Sequence, residues 1–496
     1  MLPGYISPLE LFHPNGIAKR SIVLGHNCPR ALQPYSAHVP PEPADLAILA
    51  PTRAEYQTSG WLEDGVRTVA QQLASDGIVY AFVPCSLRLK LAGLLRQQGL
   101  ALGPWVAHLP NWGMSRHLVP LKLIPAGYTF AKLLPTRPRR RQLLMLALRL
   151  PCSSGLLASV LPSVALVARR PDARALFTWL FQLDDKRCHL GNAVISARWR
   201  AHTGTAVLHR FANREAFPSA IAKLSLTATP AVDSGSEVEV IRRLGPSARL
   251  AGARVPHPLV IGQLDSHPVL LQTALSGQSA ASLLIAQPKR LLALVECVVR
   301  WLEDWNHRTM IIRPLERARL CQAVLSPATL LAPLLEQGKA YCEWLSMRCA
   351  TAEGVSIPFV AAHGDLTMSN VLIDGQGHLG VIDWETGHSE GLPLTDFFYA
   401  VADAAAATKG YQERPKAFMT CFAPGGSLMD AVRDLQMHAR RSLSLSADLA
   451  DLCFHACWLR HAAHEYRSDT SDRKRFLNIV QILALHRSST YQWLNG

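Results

Sequence analysis

The sequence predicts an α/β N-terminal domain with a mainly parallel sheet, followed by an α+β domain of two lobes, a small sheet and then a large helical lobe. Three observations carry this expectation. The chain has 496 residues, enough for two or three domains with sizeable cores. Its charge is lopsided: residues 1–180 hold 19 basic and 8 acidic side chains, against 32 and 29 in the remainder. The apolar pattern also changes near residue 176, from strands alternating with helices to short strands followed by helical periodicity. With 49% hydrophobic and 18% charged residues the chain is neither a disordered tail, a collagen nor a small disulfide scaffold. Eleven scattered cysteines without a C-x-x-C pair, and Glu10 interrupting any apolar run at the N-terminus, point to reduced thiols in a cytoplasm.

In the first domain, residues 1–175, Ser21 to Leu24 and Asp45 to Ala50 read as strands and Leu62 to Leu73 as a helix. Gly77 to Pro84 reads as a strand, Leu87 to Gln98 as a helix, and another extended piece follows Gly99. Between Gly77 and Pro171 there are 13 Lys and Arg but no Asp or Glu, with Arg137, Arg139, Arg140 and Arg141 clustered. Such a segment is drawn to anionic surfaces, so an anionic membrane, at the inner face, is an expected partner of residues 77–171. Nucleic acid is disfavoured, because aromatics are sparse among the arginines. The apolar stretch Leu143 to Ala168, broken by Arg149, Pro151 and Pro162, reads as two shorter buried or interfacial helices and not as a membrane span. The segments "ADLAILAP", "GIVYAFVP" and "QQGLALG" in this order resemble the later half of a class I S-adenosylmethionine methyltransferase. The glycine-rich cofactor turn of that family has no counterpart: "IVLGHNCPR" offers one glycine and no acid close behind. A degenerate fold of that kind is expected.

The second domain opens with a small lobe, residues 176–280. Ala193 to Ala197, Thr205 to Phe211 and Ala220 to Leu226 read as antiparallel strands, Glu237 to Leu244 as a helix and Val269 to Leu275 as a further strand. The large lobe, residues 281–496, begins with the amphipathic run Pro288 to His307. Within it, "VAAHGDLTMSNVLIDGQGHLGVIDWE" sets His363, Asp365 and Asn370 on a polar loop. Asp374, Gly375 and Gly377 form a hairpin turn between Val371–Ile373 and Leu379–Ile382, which returns Asp383 beside Asn370. Two carboxylates and an amide converging in this way suit magnesium, a hard ion that completes its shell with water and phosphate oxygens.

These residues resemble the aminoglycoside phosphotransferase and choline kinase family, whose signature is H-G-D-x-x-x-x-N followed by I-D-W-E, within the protein-kinase-like fold. "GLPLTDFF" is similar to the family's G-x-P-x-x-D segment. The resemblance implies transfer of the γ-phosphoryl group of ATP, with Mg2+, to a hydroxyl of a small molecule: a sugar, an amino alcohol, an aminoglycoside-like or a lipid-linked acceptor. It implies that Asp365 orients the acceptor and takes its proton, that His363 supports the loop, that Asn370 and Asp383 hold magnesium, and that Asp396 buttresses the catalytic loop. Lys223, in "AIAKLSL", then reaches the α- and β-phosphates with Glu237 as its partner and Glu239 the lesser candidate. Adenine would dock on the main chain from Gln272 to Leu275.

Taken singly, these side chains are ordinary turn formers, caps and a surface lysine; their order and spacing together set them apart. The family pattern is incomplete at the turn "SARWRAHTGT", where a single glycine, Gly204, replaces a G-x-G-x-x-G cradle. That departure motivates one rival reading, a nucleotide-binding scaffold of the pseudokinase kind; an active N-terminal methyltransferase is the other. For a cationic acceptor, Glu385, Glu390, Glu465 and Asp469 are the acids expected to line a cleft. Cys453, Cys457, His461 and His464 share one helix face, but i and i+11 lie about 16 Å apart at 1.5 Å per residue, so they cannot surround one zinc ion.

Overall fold

The computed structural model describes residues 20–27, 42–109, 117–121, 161–174, 193–198, 205–211, 218–225, 234–264, 267–467 and 475–487. The chain divides into two units, one of residues 1–235 with 257–274 and the other of residues 236–256 with 275–496.

The first unit is built on one eleven-stranded sheet. Its strands in chain order are β1 (Ser21–Leu24), β2 (Ala44–Leu49), β3 (Leu73–Pro84), β4 (Ala101–Leu109), β5 (His117–Pro120), β6 (Ser163–Arg169), β7 (Ala193–Arg198), β8 (Thr205–Arg210), β9 (Ala220–Ser225), β10 (Pro258–Leu264) and β11 (His267–Thr273). They lie in the order β1-β2-β3-β6-β4-β5-β7-β8-β9-β11-β10. Only β1 with β2 and β2 with β3 run parallel; every other neighbouring pair is antiparallel. The sheet is therefore mixed, where the sequence predicts a mainly parallel one.

The cause is β6. Its residues fall at the end of the apolar stretch read as helical, yet Val164 to Ala168 are fully buried on both faces between β3 and β4. A β-branched run with alternate residues buried on either side satisfies its backbone only by pairing, so this piece completes the sheet as a strand. The rest of that stretch and the Arg137–Arg141 cluster lie outside the described residues.

Three helices accompany these strands: α1 (Arg53–Gln57), α2 (Trp61–Gln72) and α3 (Arg88–Gln97). Helix α1 starts on a capping box in which Thr52 and Glu55 satisfy each other's backbone N–H groups. Helix α2 buries Leu62, Val66, Val69 and Ala70, an i, i+4, i+7, i+8 stripe. Strand β5 pairs with β7 (Leu118 opposite Ile195), so the N-terminal strands and the predicted small-lobe strands share one ladder. Strand β10, an edge strand of sequence PLVIGQL, has no sequence-based counterpart.

In the second unit, helix α4 (Ser234–Leu250) is longer than predicted, and β12 (Gln278–Ser279) and α5 (Ala280–Ala286) follow. Then come α6 (Leu291–Thr309), β13 (Ile311–Pro314), α7 (Arg317–Leu320), α8 (Ser326–Leu331), α9 (Gly338–Ala352), β14 (Ser356–Ala362), β15 (Val371–Ile373), β16 (Leu379–Val381) and β17 (His388–Gly391). The chain continues through α10 (Thr395–Thr408), α11 (Arg414–Phe422), α12 (Met429–Ser442), α13 (Ala447–Arg467) and α14 (Arg475–His486). Strands β15 and β16 form the predicted hairpin, Val371 facing Val381, and β14 pairs with β13 and β17. Helix α10 is buried on every side, which its alanine-rich sequence permits by letting neighbouring helices approach closely. Trp305 is fully buried and stacks on Trp301 while meeting Trp384 edge-on, which fastens α6 to the turn after β16. Among the described residues no helix is long and apolar enough to cross a membrane.

Candidate active site

The polar loop His363–Asn370 leaves β14 and returns the chain to β15. Gly364 has φ +78°, and a Cβ there would meet the Thr386 carbonyl oxygen at 2.7 Å as well as Nη2 of Arg460, so only glycine fits. Asp396, in the first turn of α10, holds this bend: its carboxylate accepts the backbone N–H of His363 at 2.6 Å and of Gly364 at 3.0 Å. The fully buried His363 ring donates from Nε2 to the Ile382 carbonyl at 3.0 Å, and its Nδ1 accepts the Asp365 N–H at 3.4 Å.

Asn370 donates from Nδ2 to the Asp365 carbonyl at 2.9 Å and to its carboxylate at 3.3 Å, bonds that do not use Oδ1. Its own carbonyl accepts the Ile382 N–H at 3.0 Å, so Asp383 follows the residue bonded to Asn370. Asp383 adopts φ 69°, a conformation that costs a non-glycine residue and recurs at functional sites. Glu237, Asp383 and Glu385 each present a carboxylate oxygen, all within 4.8 Å of one another. An all-oxygen donor set of this kind fits a hard divalent cation.

Burial holds the Asp365 pKa above the ordinary carboxylate value; Asp383 and Asp403 push the same way, opposed by His363 and by a hydrogen bond from Tyr399. Asp403 is a residue that sequence reading missed. It lies two turns along α10 from Asp396, is 1% exposed, accepts the Met368 N–H at 2.7 Å and the Tyr411 hydroxyl at 3.0 Å, and pairs with Arg414 at 2.9 Å. Its signal was the seven-residue spacing, which sets both aspartates on the loop-facing side of one helix. Tyr399, between them in sequence, lies flat on His461 with ring centroids 3.7 Å apart.

Of the other predicted residues, Lys223 is half-buried on β9 between Val207 of β8 and Leu270 of β11. Gln272 is buried on β11 opposite Ile221, and both belong to the first unit, whereas Leu275 and Glu237 belong to the second. Two of the acids expected to line a cleft for a cation are engaged elsewhere. Glu390 pairs with Arg313 at 3.1 Å and Arg319 at 3.3 Å, and Glu465 accepts the backbone N–H groups of Arg475 and Phe476, capping α14. Glu385 stands in the carboxylate cluster, and Asp469 lies outside the described residues. On α13, Cys457 donates to the Thr395 carbonyl at 3.4 Å and Cys453 is buried, so both thiols pack inside the helical lobe.

Residues 200–418, which contain the loop, the hairpin and Asp396, match the model of a family described as phosphotransferase enzymes. Over that span the chain is similar to the phosphotransferase enzyme family. Solved structures similar to the chain include a thermostable mutant of the aminoglycoside phosphotransferase APH(4)-Ia in its apo form. It shares 13% identity and covers 60% of this chain and 95% of its own, with TM-score 0.39. Aminoglycoside phosphotransferase APH(3'')-Id from Streptomyces rimosus ATCC10970 shares 16% identity over 53% of this chain and 91% of its own, with TM-score 0.34. The GDP and kanamycin complex of APH(2'')-IIIa shares 11% over 62% and 95%, with TM-score 0.34. No curated protein matches the chain. The matched span covers the catalytic, metal and nucleotide residues expected from the sequence, Lys223 to Asp396.

Proposed function

We propose that this chain is an ATP- and magnesium-dependent phosphotransferase that moves the γ-phosphoryl group to a hydroxyl of a small molecule. The observation that carries the reading is the paired Asp365 and Asn370, fixed to each other by two hydrogen bonds on a loop clamped by Asp396. Phosphoryl transfer asks little covalent chemistry of the protein; it asks for position and for charge near the moving oxygens. Asp365 accepts the acceptor hydroxyl's proton at its carboxylate, and Asn370, through Nδ2, fixes which way that carboxylate faces. Asn370 Oδ1, Asp383 and the neighbouring carboxylate oxygens would hold magnesium, which when bound offsets the negative charge of the phosphates. Lys223 is assigned to the α- and β-phosphates and the backbone from Gln272 to Leu275 to the adenine. In this reading residues 176–280 form the small lobe, 281–496 the large one, and residues 1–175 a methyltransferase-like domain without a cofactor turn.

The test is ADP release across a panel of hydroxylated metabolites by wild type and Asp365→Asn. Loss of a general base costs about 10²–10⁴ in rate, so acceptor-dependent release should fall by that order. Equal release by both proteins would refute the assignment.

A further inference from the structure

Protein kinases carry an arginine between the histidine and aspartate of the catalytic loop, where this chain has Gly364. A guanidinium from elsewhere fills the vacated space. Nη2 of Arg460, on α13, lies where a Gly364 side chain would begin, and it donates to the Gly364 carbonyl at 2.6 Å. The Thr386 hydroxyl borders the same space and donates to the His363 carbonyl at 3.0 Å. Next along the chain, Gly387 lies against Val240 of α4, with room for a Cβ only 2.6 Å from it, and Arg243 is one turn further along that helix. His388, opposite Ala362 in the β14–β17 pair, has Arg460, Arg319 and Arg243 as charged neighbours. Burial, followed by the charge of Arg460, lowers the pKa of its imidazole, with Asp396 opposing.

Negative charge here is already committed. Both oxygens of Asp396 take backbone N–H groups, and Glu390 is divided between Arg313 and Arg319. Among the described residues neither Arg243 nor Arg460 has an acidic partner at ion-pair distance. Arg460 at Gly364, Arg319 at Glu390 and Arg243 one turn beyond the Val240 that meets Gly387 thus surround the β17 start at His388 with less than one carboxylate per arginine, and guanidinium forks match phosphate oxygens in pairs.

We propose that Arg460, Arg243, Arg319 and His388 form a binding site for a small phosphate-type oxyanion beneath the catalytic loop. The oxyanion is either a phosphate group carried by the acceptor or a free phosphate acting as an effector. The site stands independently of the transfer reaction, because binding alone tests it.

The experiment is calorimetric titration of inorganic phosphate into the full chain at fixed ionic strength, with excess ADP so that nucleotide-site phosphate contacts are occupied. Wild type should bind phosphate, and the exposed-side variant Arg243→Gln/Arg319→Gln should lose about tenfold or more in affinity, about 1.4 kcal/mol. Arg460→Lys, which keeps the charge and removes the fork, should weaken binding as well. No binding by wild type, or equal binding by wild type and the double variant with both folded by circular dichroism, overturns the proposal. Turnover then separates the sources. Competitive inhibition by phosphate against phosphate-monoester acceptors assigns the oxyanion to the acceptor, and a changed rate with a neutral polyol assigns it to an effector. Either outcome supports the site.

Discussion

Replacing Asp396 by asparagine isolates the clamp that shapes the catalytic loop. The aspartate accepts two buried backbone N–H groups, from His363 at 2.6 Å and Gly364 at 3.0 Å, and is itself 8% exposed. Asparagine has the same shape but one acceptor atom and one NH2 group, so one N–H keeps a weaker partner while the other faces a donor. Hydrogen bonds to a charged group contribute about 1.5–3 kcal/mol and a stranded buried donor costs about 1–3, so the substitution should destabilise by about 2–4 kcal/mol. Urea unfolding followed by tryptophan fluorescence measures this, with the midpoint falling and the slope unchanged. Because the bend also sets Asp365, kcat should fall more than KM changes. A destabilisation under about 0.5 kcal/mol, the level of an ordinary surface substitution, would refute the clamp.

Other expectations follow from the same geometry. Asp365 is held above its ordinary pKa by burial and pulled back by Tyr399, so Tyr399→Phe should raise it further and move the acid limb of the pH–rate profile to higher pH; an unchanged limb contradicts this. Asp383→Asn should weaken ATP binding in magnesium and leave it unchanged in excess EDTA, as read by fluorescent nucleotide titration; equal loss in both conditions contradicts the metal assignment. Burial pushes Asp451 up to about 7 against the pull of Arg348. The native state then keeps a proton that the unfolded chain releases near pH 4, so this group's contribution to stability declines as pH rises from about 4 to 7. Asp451→Asn should flatten the pH dependence of the unfolding midpoint over that range; an unaltered profile contradicts it.

The segment around Asp365 was legible because its chemistry is local. Gly364, Asp365, Asn370 and the Asp374 turn lie within a dozen residues, and turn chemistry alone returns Asp383 to Asn370. Strands β1 to β3 and helices α2 and α3 were likewise readable, since each carries its own period. Strand β6 was not, because a two-sided buried strand and a buried helix share the same apolar run, and only its partners β3 and β4 decide between them. Arg460 was invisible for a related reason: it reaches Gly364 across 96 residues of sequence. The acids Glu390 and Glu465 show the converse, since composition reveals their charge but not the arginines and helix terminus that occupy them.

The central claim, phosphoryl transfer from ATP onto a hydroxyl whose proton Asp365 accepts, is tested most directly by following the phosphorus itself. With γ-labelled ATP and an acceptor that stimulates ADP release, 31P NMR should show the label in a phosphate monoester for wild type and its near absence for Asp365→Asn. Label recovered only as inorganic phosphate, or transferred equally well by the variant, would contradict the account.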